Sequence, residues 1–230
     1  MRETRKLAAI LVADMVGYSR LAGVDEEPTL ARLRGLRSDL IDPAIAAHHG
    51  RAVKRTGDGA IVEFRSVVNA VRCAIEVQNG MASRNAGAPA DVRIMFRIGV
   101  HLGDVVEEAD GDLMGDGVNI AARLEGLSEP GGLCLSEDAY RQVRDRLKES
   151  FADLGATQLK NIGEPIHVYS LEVGQPAMAK SGRSSLSADQ IGVLRGFVSA
   201  YSQNEVAGAT QRFRALSHPR QCGLDTLRIW

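Results

Sequence analysis

A layered α+β domain, with a mostly antiparallel sheet and helices packed on one of its faces, is the fold class this sequence predicts. Three observations lead there. Short apolar runs rich in β-branched residues alternate with longer stretches of helical periodicity. Two of the short runs flank the turn Gly57-Asp58-Gly59, which reads as a β-hairpin. The resulting order of strand, helix, hairpin, helix and strand closes into a βαββαβ sandwich.

The first strand is expected over 7–14, where "LAAILVAD" is apolar until it ends on Asp14. A helical stretch follows in "DEEPTLARLRGLRSDLIDPAIAAHHG", with acids near its start, Pro28 in its first turn and leucines at 30, 33, 36 and 40. It ends at Gly50, and Pro43 should kink it. The hairpin occupies "GRAVKRTGDGAIVEF", and "SVVNAVRCAIEVQNGMASR" is a second amphipathic helix. "VRIMFRIGVHLGDVVEE" alternates charged and apolar residues as a long strand, broken at Gly103. Beyond a glycine- and aspartate-rich loop, "GVNIAARLEGLSEPGG" is a helix stopped by Pro130 and its glycines. Strands follow at "LCLS", "FADLGATQL" and "IHVYSLEV", with a helix over "EDAYRQVRDRL" between the first two. Residues 1–175 form the working domain. From there "GQPAMAKSGRSSLS" is small and polar, and "ADQIGVLRGFVSAYSQ" has the period of one amphipathic helix. Residues 176–230 read as a linker and short appendage without an assignable role.

Composition narrows the classes. Of 230 residues, 44% are hydrophobic and 25% charged, as in a soluble globular chain. The formal net charge is -1, so no basic field argues for nucleic acid or an anionic membrane. Cys73, Cys134 and Cys222 are odd in number and lack CxxC spacing, so neither a disulfide framework nor a zinc site is expected. A reducing, cytoplasmic setting follows. The basic N-terminus before an apolar run superficially resembles a signal peptide, but Asp14 cuts the run short. No segment reaches the roughly 20 apolar residues of a membrane span.

The chemistry concentrates at the strand ends. A strand tip facing a glycine turn and a helix start presents outward backbone amides that hold phosphate, and an aspartate there suits a cation. Asp14 and Gly17 make that arrangement, with Asp58 at the hairpin tip as a second carboxylate that could converge on it. Two carboxylates so close repel unless a cation sits between them. Taken singly, Asp14 reads equally as a helix N-cap and Gly-Asp-Gly as a plain turn.

Five segments, "LVADMVGYSRL", "VKRTGDGAIVEF", "FRIGVHLGDVV", "DLMGDGVNIAARLE" and "LKNIGEPIHVY", occur in this order and spacing. Together they resemble the catalytic domain of the class III adenylyl and guanylyl cyclases, over roughly residues 5–172. The resemblance implies the ferredoxin-like βαββαβ sandwich of that family and attack of a ribose 3′-hydroxyl on the α-phosphate, with pyrophosphate leaving. Asp14 and Asp58 match the metal-binding aspartates, which would hold two Mg²⁺ or Mn²⁺ ions. The turn amides of Met15, Val16, Gly17, Tyr18 and Ser19 would cradle phosphate.

Asn119 and Arg123, four apart on one helix face, match the pair that orients the ribose and stabilises charge on the α-phosphate. Lys54 and Asp112 match the base-recognising pair. A lysine donates to adenine N1 and an aspartate accepts from its exocyclic amine, which favours ATP over GTP. Asp110 and Asp116 share the Asp112 loop, so a shifted register is an alternative. Arg97 and Lys160 match basic positions on the triphosphate. Met114 departs from the aromatic residue of many relatives. The resemblance further implies a homodimer with active sites at the subunit interface.

Three functions stay open on sequence alone: an adenylyl cyclase making cyclic AMP, a silent cyclase-fold module that binds nucleotide or a partner, and a polymerase-like palm. The last would need a basic template surface, which a net charge of -1 does not supply.

Overall fold

Strand β1 (Thr4–Met15) runs through the middle of the sheet, and its alternation defines two faces. Ala9 and Leu11 enter one core cluster, while Ala8 and Ile10 enter another on the opposite side. The computed structural model describes residues 4–173. The expected linker, the helix over 188–203 and the appendage lie outside the described residues.

After β1 come α1 (Tyr18–Val24) and α2 (Glu26–Leu36), then a π-helical turn at Arg37–Ile41 and α3 (Asp42–Ala47). The kink expected at Pro43 is this turn. Proline at the start of α3 cannot donate back into the preceding helix, and one wider turn absorbs the missing bond. The hairpin is β2 (Arg51–Arg55) and β3 (Ala60–Phe64), followed by α4 (Val67–Asn85). Val67, Ala70, Val71, Ala74, Val77, Gln78 and Met81 of α4 are buried at helical spacing. Gln78 Nε2 donates to the carbonyls of Phe96 at 3.0 Å and Gly132 at 2.7 Å, tying two strands together. Strand β4 (Phe96–Glu107) pairs with β1 along its whole length, so the break expected at Gly103 does not form.

The remainder is β5 (Leu113–Met114), α5 (Asp116–Leu127), β6 (Gly132–Ser136), α6 (Glu137–Val143), β7 (Ala152–Thr157) and β8 (Ile166–Glu172). The sheet has 8 strands in the order β2-β3-β1-β4-β6-β8-β7, with β5 on β4. Every pairing is antiparallel except β4 with β6. Its first four strands have the ferredoxin-like arrangement expected.

Not all helices share one face, which corrects that part of the expected architecture. Residues of α2, α3, α4 and α6 join the cluster of Ala9 and Leu11, whereas Ala121 of α5 joins Ala8 and Ile10. The reason lies in both faces of β1 being apolar, so the second face also needs a cover. Gly99 permits the close approach. A Cβ there would fall on the Ala121 carbonyl and the Glu125 amide.

Candidate active site

The carboxylate end forms where β1 meets the hairpin tip. β1 pairs with β3 up to Ala13 opposite Ala60, which sets the 56–59 turn beside Asp14. Gly59 N–H donates to Thr56 Oγ1 at 2.9 Å, and Arg37 Nη2 donates to the carbonyls of Thr56 at 2.8 Å and Gly57 at 3.0 Å. The two glycines are not equivalent. A Cβ at Gly59 would lie 2.8 Å from Asp14 Oδ1, whereas Gly57 faces open space.

Asp14 stands opposite Arg97 in the β1–β4 register. Burial pushes the Asp14 carboxyl above the ordinary aspartate range and the charge of Asp58 adds to the rise, while the Met15 amide and Arg97 oppose it. A third acid joins them from α5. Burial pushes Glu125 up to about 7, with the charges of Asp14 and Asp58 raising it and Arg97 lowering it. Arg97 Nε is buried without a hydrogen-bond partner. Arg97 thus opposes the rise at both Asp14 and Glu125, while the charge of Asp58 adds to it at each, a surplus of negative charge on hard oxygen donors.

That donor set fits a divalent cation of the Mg²⁺ type. Among the described residues, no three His, Cys, Asp or Glu side chains converge closely enough to hold an ion alone. Asp14 and Asp58, which the motif resemblance assigns to metal, would need water or phosphate oxygens to complete such a shell.

The turn after β1 is narrower as a phosphate cradle than its sequence suggests. Val16 N–H donates to Met95 O at 2.8 Å, and the Met15 amide is directed to Asp14. Gly17 adopts the left-handed conformation with φ 67° and ends the strand, leaving the amides of Gly17, Tyr18 and Ser19 at the start of α1.

A second group lies on β2 and the loop before β5. Lys54 Nζ donates to Asp112 Oδ2 at 2.7 Å, and Leu113 N–H donates to Asp112 Oδ1 at 2.8 Å. The Asp112 hydrogen bond holds the Lys54 ammonium above its ordinary value, and Lys54 in turn lowers the Asp112 carboxyl. Asp110 instead accepts the Asp112 amide at 3.0 Å and shapes the turn, so Asp112 is the partner of Lys54. Met114 is exposed next to this pair.

The third group is on α5. Asn119 and Arg123 are both exposed, one turn apart. Arg123 Nε donates to the carbonyl of Lys160 at 3.2 Å, which brings those two residues together. His101 is buried with Nδ1 2.8 Å from Ser136 Oγ, and burial lowers its pKa. Cys73 and Cys134 are free and buried, and burial pushes their thiols up to about 12 and about 11.

Glu125 escaped the sequence reading. Its signal was an acid four residues after Ala121 and one after Leu124, on the stripe of α5 that is otherwise apolar.

Comparison with known proteins accords with this geometry. The family model described as "Adenylate and Guanylate cyclase catalytic domain" matches residues 2–173. A curated relative, "Putative adenylate cyclase 3" of Rhizobium meliloti (strain 1021), is 48% identical over 166 residues, covering 72% of this chain and 28% of that protein. Serine/threonine-protein kinase pkn2 of Myxococcus xanthus is 24% identical over 160 residues, 70% of this chain and 19% of its own length. The chain thus spans less than a third of either relative. Among solved structures, the adenylate/guanylate cyclase/hydrolase from Silicibacter pomeroyi superposes with a TM-score of 0.70 at 47% identity, covering 74% of this chain and 98% of that one. The adenylyl cyclase CyaB from P. aeruginosa shares the fold, with a TM-score of 0.65 at 23% identity over 74% of this chain and 96% of that one.

The sheet order together with the match over residues 2–173 defines the class of this domain. This chain belongs to the adenylate and guanylate cyclase catalytic domain family.

Proposed function

We propose that this chain is an adenylyl cyclase that converts ATP to 3′,5′-cyclic AMP and pyrophosphate, working as a homodimer in cyclic-nucleotide signalling in the cytoplasm. The observation that carries the choice of ATP is the 2.7 Å contact between Lys54 Nζ and Asp112 Oδ2. A donor beside an acceptor at that spacing complements the N1 and N6 edge of adenine. Guanine offers a carbonyl and a protonated nitrogen there, and would leave both charges mispaired.

The remaining residues divide the work. Asp14 and Asp58 hold two Mg²⁺ or Mn²⁺ ions, which when bound lower the pKa of the ribose 3′-hydroxyl and neutralise the triphosphate. The amides of Gly17, Tyr18 and Ser19, together with Arg97 and Lys160, grip phosphate oxygens. Asn119 orients the ribose. Arg123 meets the charge that builds on the α-phosphate, a role worth about 2.7–4 kcal/mol of barrier for one such donor. With Nε engaged by Lys160 O, its two outer nitrogens remain to face a phosphate.

The helix itself supports a shared site. The charges of Asp14 and Asp58 both raise the Glu125 carboxyl, so it lies within electrostatic reach of the chain's own aspartates. At 100° per residue, Arg123 stands about 160° and Asn119 about 120° around α5 from Glu125. One chain therefore offers its carboxylates on one side of α5 and its transition-state pair on another, as two half-sites that a two-fold dimer completes.

The test is cyclic nucleotide formation by the purified 230-residue chain, with ATP and GTP offered separately under Mn²⁺ and Mg²⁺. Asp58→Ala and Arg123→Ala are expected to be inactive alone and to recover up to about a quarter of wild-type activity when mixed, because one site in each heterodimer is intact. No recovery sinks the shared site. Binding of ATP without any product makes the chain a silent nucleotide-binding module.

A further inference from the structure

Beside the Lys54–Asp112 pair lies a closed ring of four charges that the catalytic roles leave unused. Lys6 Nζ reaches Glu63 Oε1 at 2.6 Å and Glu107 Oε2 at 2.7 Å. Arg51 takes the other oxygen of each: Nη2 lies 2.6 Å from Glu63 Oε2 and 3.0 Å from Glu107 Oε1, and Nε donates to the former at 2.9 Å. Two cations and two anions from β1, β2, β3 and β4 thus alternate around the ring, and each carboxylate oxygen serves one cation. Glu63 is the most enclosed member, with 14% of its side chain exposed.

The ring fixes the Arg51 guanidinium in one orientation and leaves a single nitrogen free of it. That nitrogen, Nη1, donates to the carbonyl of Gly111 at 2.8 Å. Gly111 has φ +85°, a left-handed turn position, and directly precedes Asp112. The turn is short: Gly111 N–H donates to Glu108 O at 3.0 Å, and Glu108 N–H to Asp112 O at 3.0 Å. Pinning the Gly111 carbonyl therefore sets where the Asp112 carboxylate emerges. Lys54 stands three residues after Arg51 on the same strand. Strand β2 thus holds both halves of the pair, the lysine directly and the aspartate through Arg51.

We infer that Arg51 is a specificity-determining positioning residue, which fixes the Asp112 turn against Lys54 so that the pair discriminates between purine base edges. The inference rests on the base-recognition reading given above. A guanidinium is suited to the task because its rigid fork serves two carboxylates and a carbonyl at once; a lysine's point charge does not. Discrimination built from hydrogen bonds is sensitive to such placement, since a misplaced acceptor is left unpaired by the matching base as by the wrong one.

The test measures binding as well as turnover. Calorimetric titration of the full chain with 3′-deoxy-ATP and 3′-deoxy-GTP, which lack the attacking hydroxyl, gives an affinity ratio for wild type, Arg51→Met, Arg51→Lys and Lys54→Met. Arg51→Met is expected to lower the ratio about tenfold, and to raise KM for ATP while kcat falls less than about threefold. Arg51→Lys, which keeps a charge in the ring, should move the ratio in the same direction and covers the case in which the methionine variant does not fold. An unchanged ratio in a folded Arg51 variant, or equal weakening of both nucleotides, overturns the inference. If Lys54→Met also leaves the ratio unchanged, the base-recognition reading itself has failed. A collapsed ratio in Lys54→Met alone confines the failure to Arg51.

Discussion

Two charge clusters of this domain handle charge in opposite ways. At the strand tip, burial together with the charge of Asp58 drives Asp14 and Glu125 toward the protonated form, and Arg97 opposes the rise at both. Along β2 and its neighbours, Lys54 and Asp112 satisfy each other, and Lys6, Arg51, Glu63 and Glu107 close a neutral ring. Glu63 is the counterpart of Glu125 there. Burial pushes it up as well, but hydrogen bonds and charges from Lys6 and Arg51 outweigh burial and leave its carboxyl below the ordinary range. The first cluster is a surplus of negative charge that an added cation would relieve. The other is complete before any ligand arrives, so its geometry is set in advance.

The largest effect that would break this contrast is at Asp58. Asp58→Ala is expected to abolish cyclisation by more than about a thousandfold while the melting temperature in cation-free buffer stays level or rises, because a repulsive charge beside Asp14 is gone. Turnover and calorimetry on the same sample check both halves. A drop in melting temperature would mean that the carboxylate end is a structural contact.

Lys54→Met sharpens the other side. It should lower kcat/KM for ATP by about 10–100-fold and relax discrimination against GTP. Its ion pair is exposed, so the melting temperature should not move measurably. Unaltered nucleotide preference would separate the pair from base recognition.

The smallest effect expected is in the pH dependence of stability, where the two clusters differ in sign. Glu125 rises from 4.5 to about 7 on folding, so the folded state holds that proton more tightly than the unfolded chain does. Its contribution to stability is full below 4.5 and is lost as pH rises toward about 7. Asp112 and Glu63 are lowered, so theirs is present above the ordinary carboxylate range and is lost on acidification. Thermal melts without divalent cation should fall across the Glu125 window, and Glu125→Gln should flatten that slope. Mn²⁺ should raise the melting temperature more at pH 8 than at pH 5. An unchanged slope in Glu125→Gln would place the titrating group elsewhere.

Much of the fold was legible because its elements are strongly periodic. β1 and α4 carry their apolar residues at strand and helix spacing, and Gly57-Asp58-Gly59 marks the hairpin. The second covered face was not legible, since consecutive apolar residues such as Ala8, Ala9 and Ile10 look the same whether one face or both are packed. At the site, Asp14 and Asp58 stand out by residue type beside glycines and strand ends, whereas Lys54 and Asp112 were marked only by the family resemblance of the segments that carry them. Val16 looked available as a phosphate donor because nothing local shows that its amide is bound to Met95, far along the chain. Glu125 and the four-charge ring were hidden for the same reason.

The sequence by itself determined what repeats locally: which residues alternate across a strand, which share a helix stripe, and where glycine frees the backbone. It therefore determined the order of elements and the residue types at each strand tip. Tertiary structure decided what those residues meet. The Lys6–Glu107 contact joins positions 101 apart in the chain. The Glu125 carboxyl feels the charges of Asp14 and Asp58, and α5, which carries it, lies close on β4 where Gly99 has no side chain. Charge acts through space, with a strength set by distance and burial, and neither is written in local spacing until the strands have taken their register.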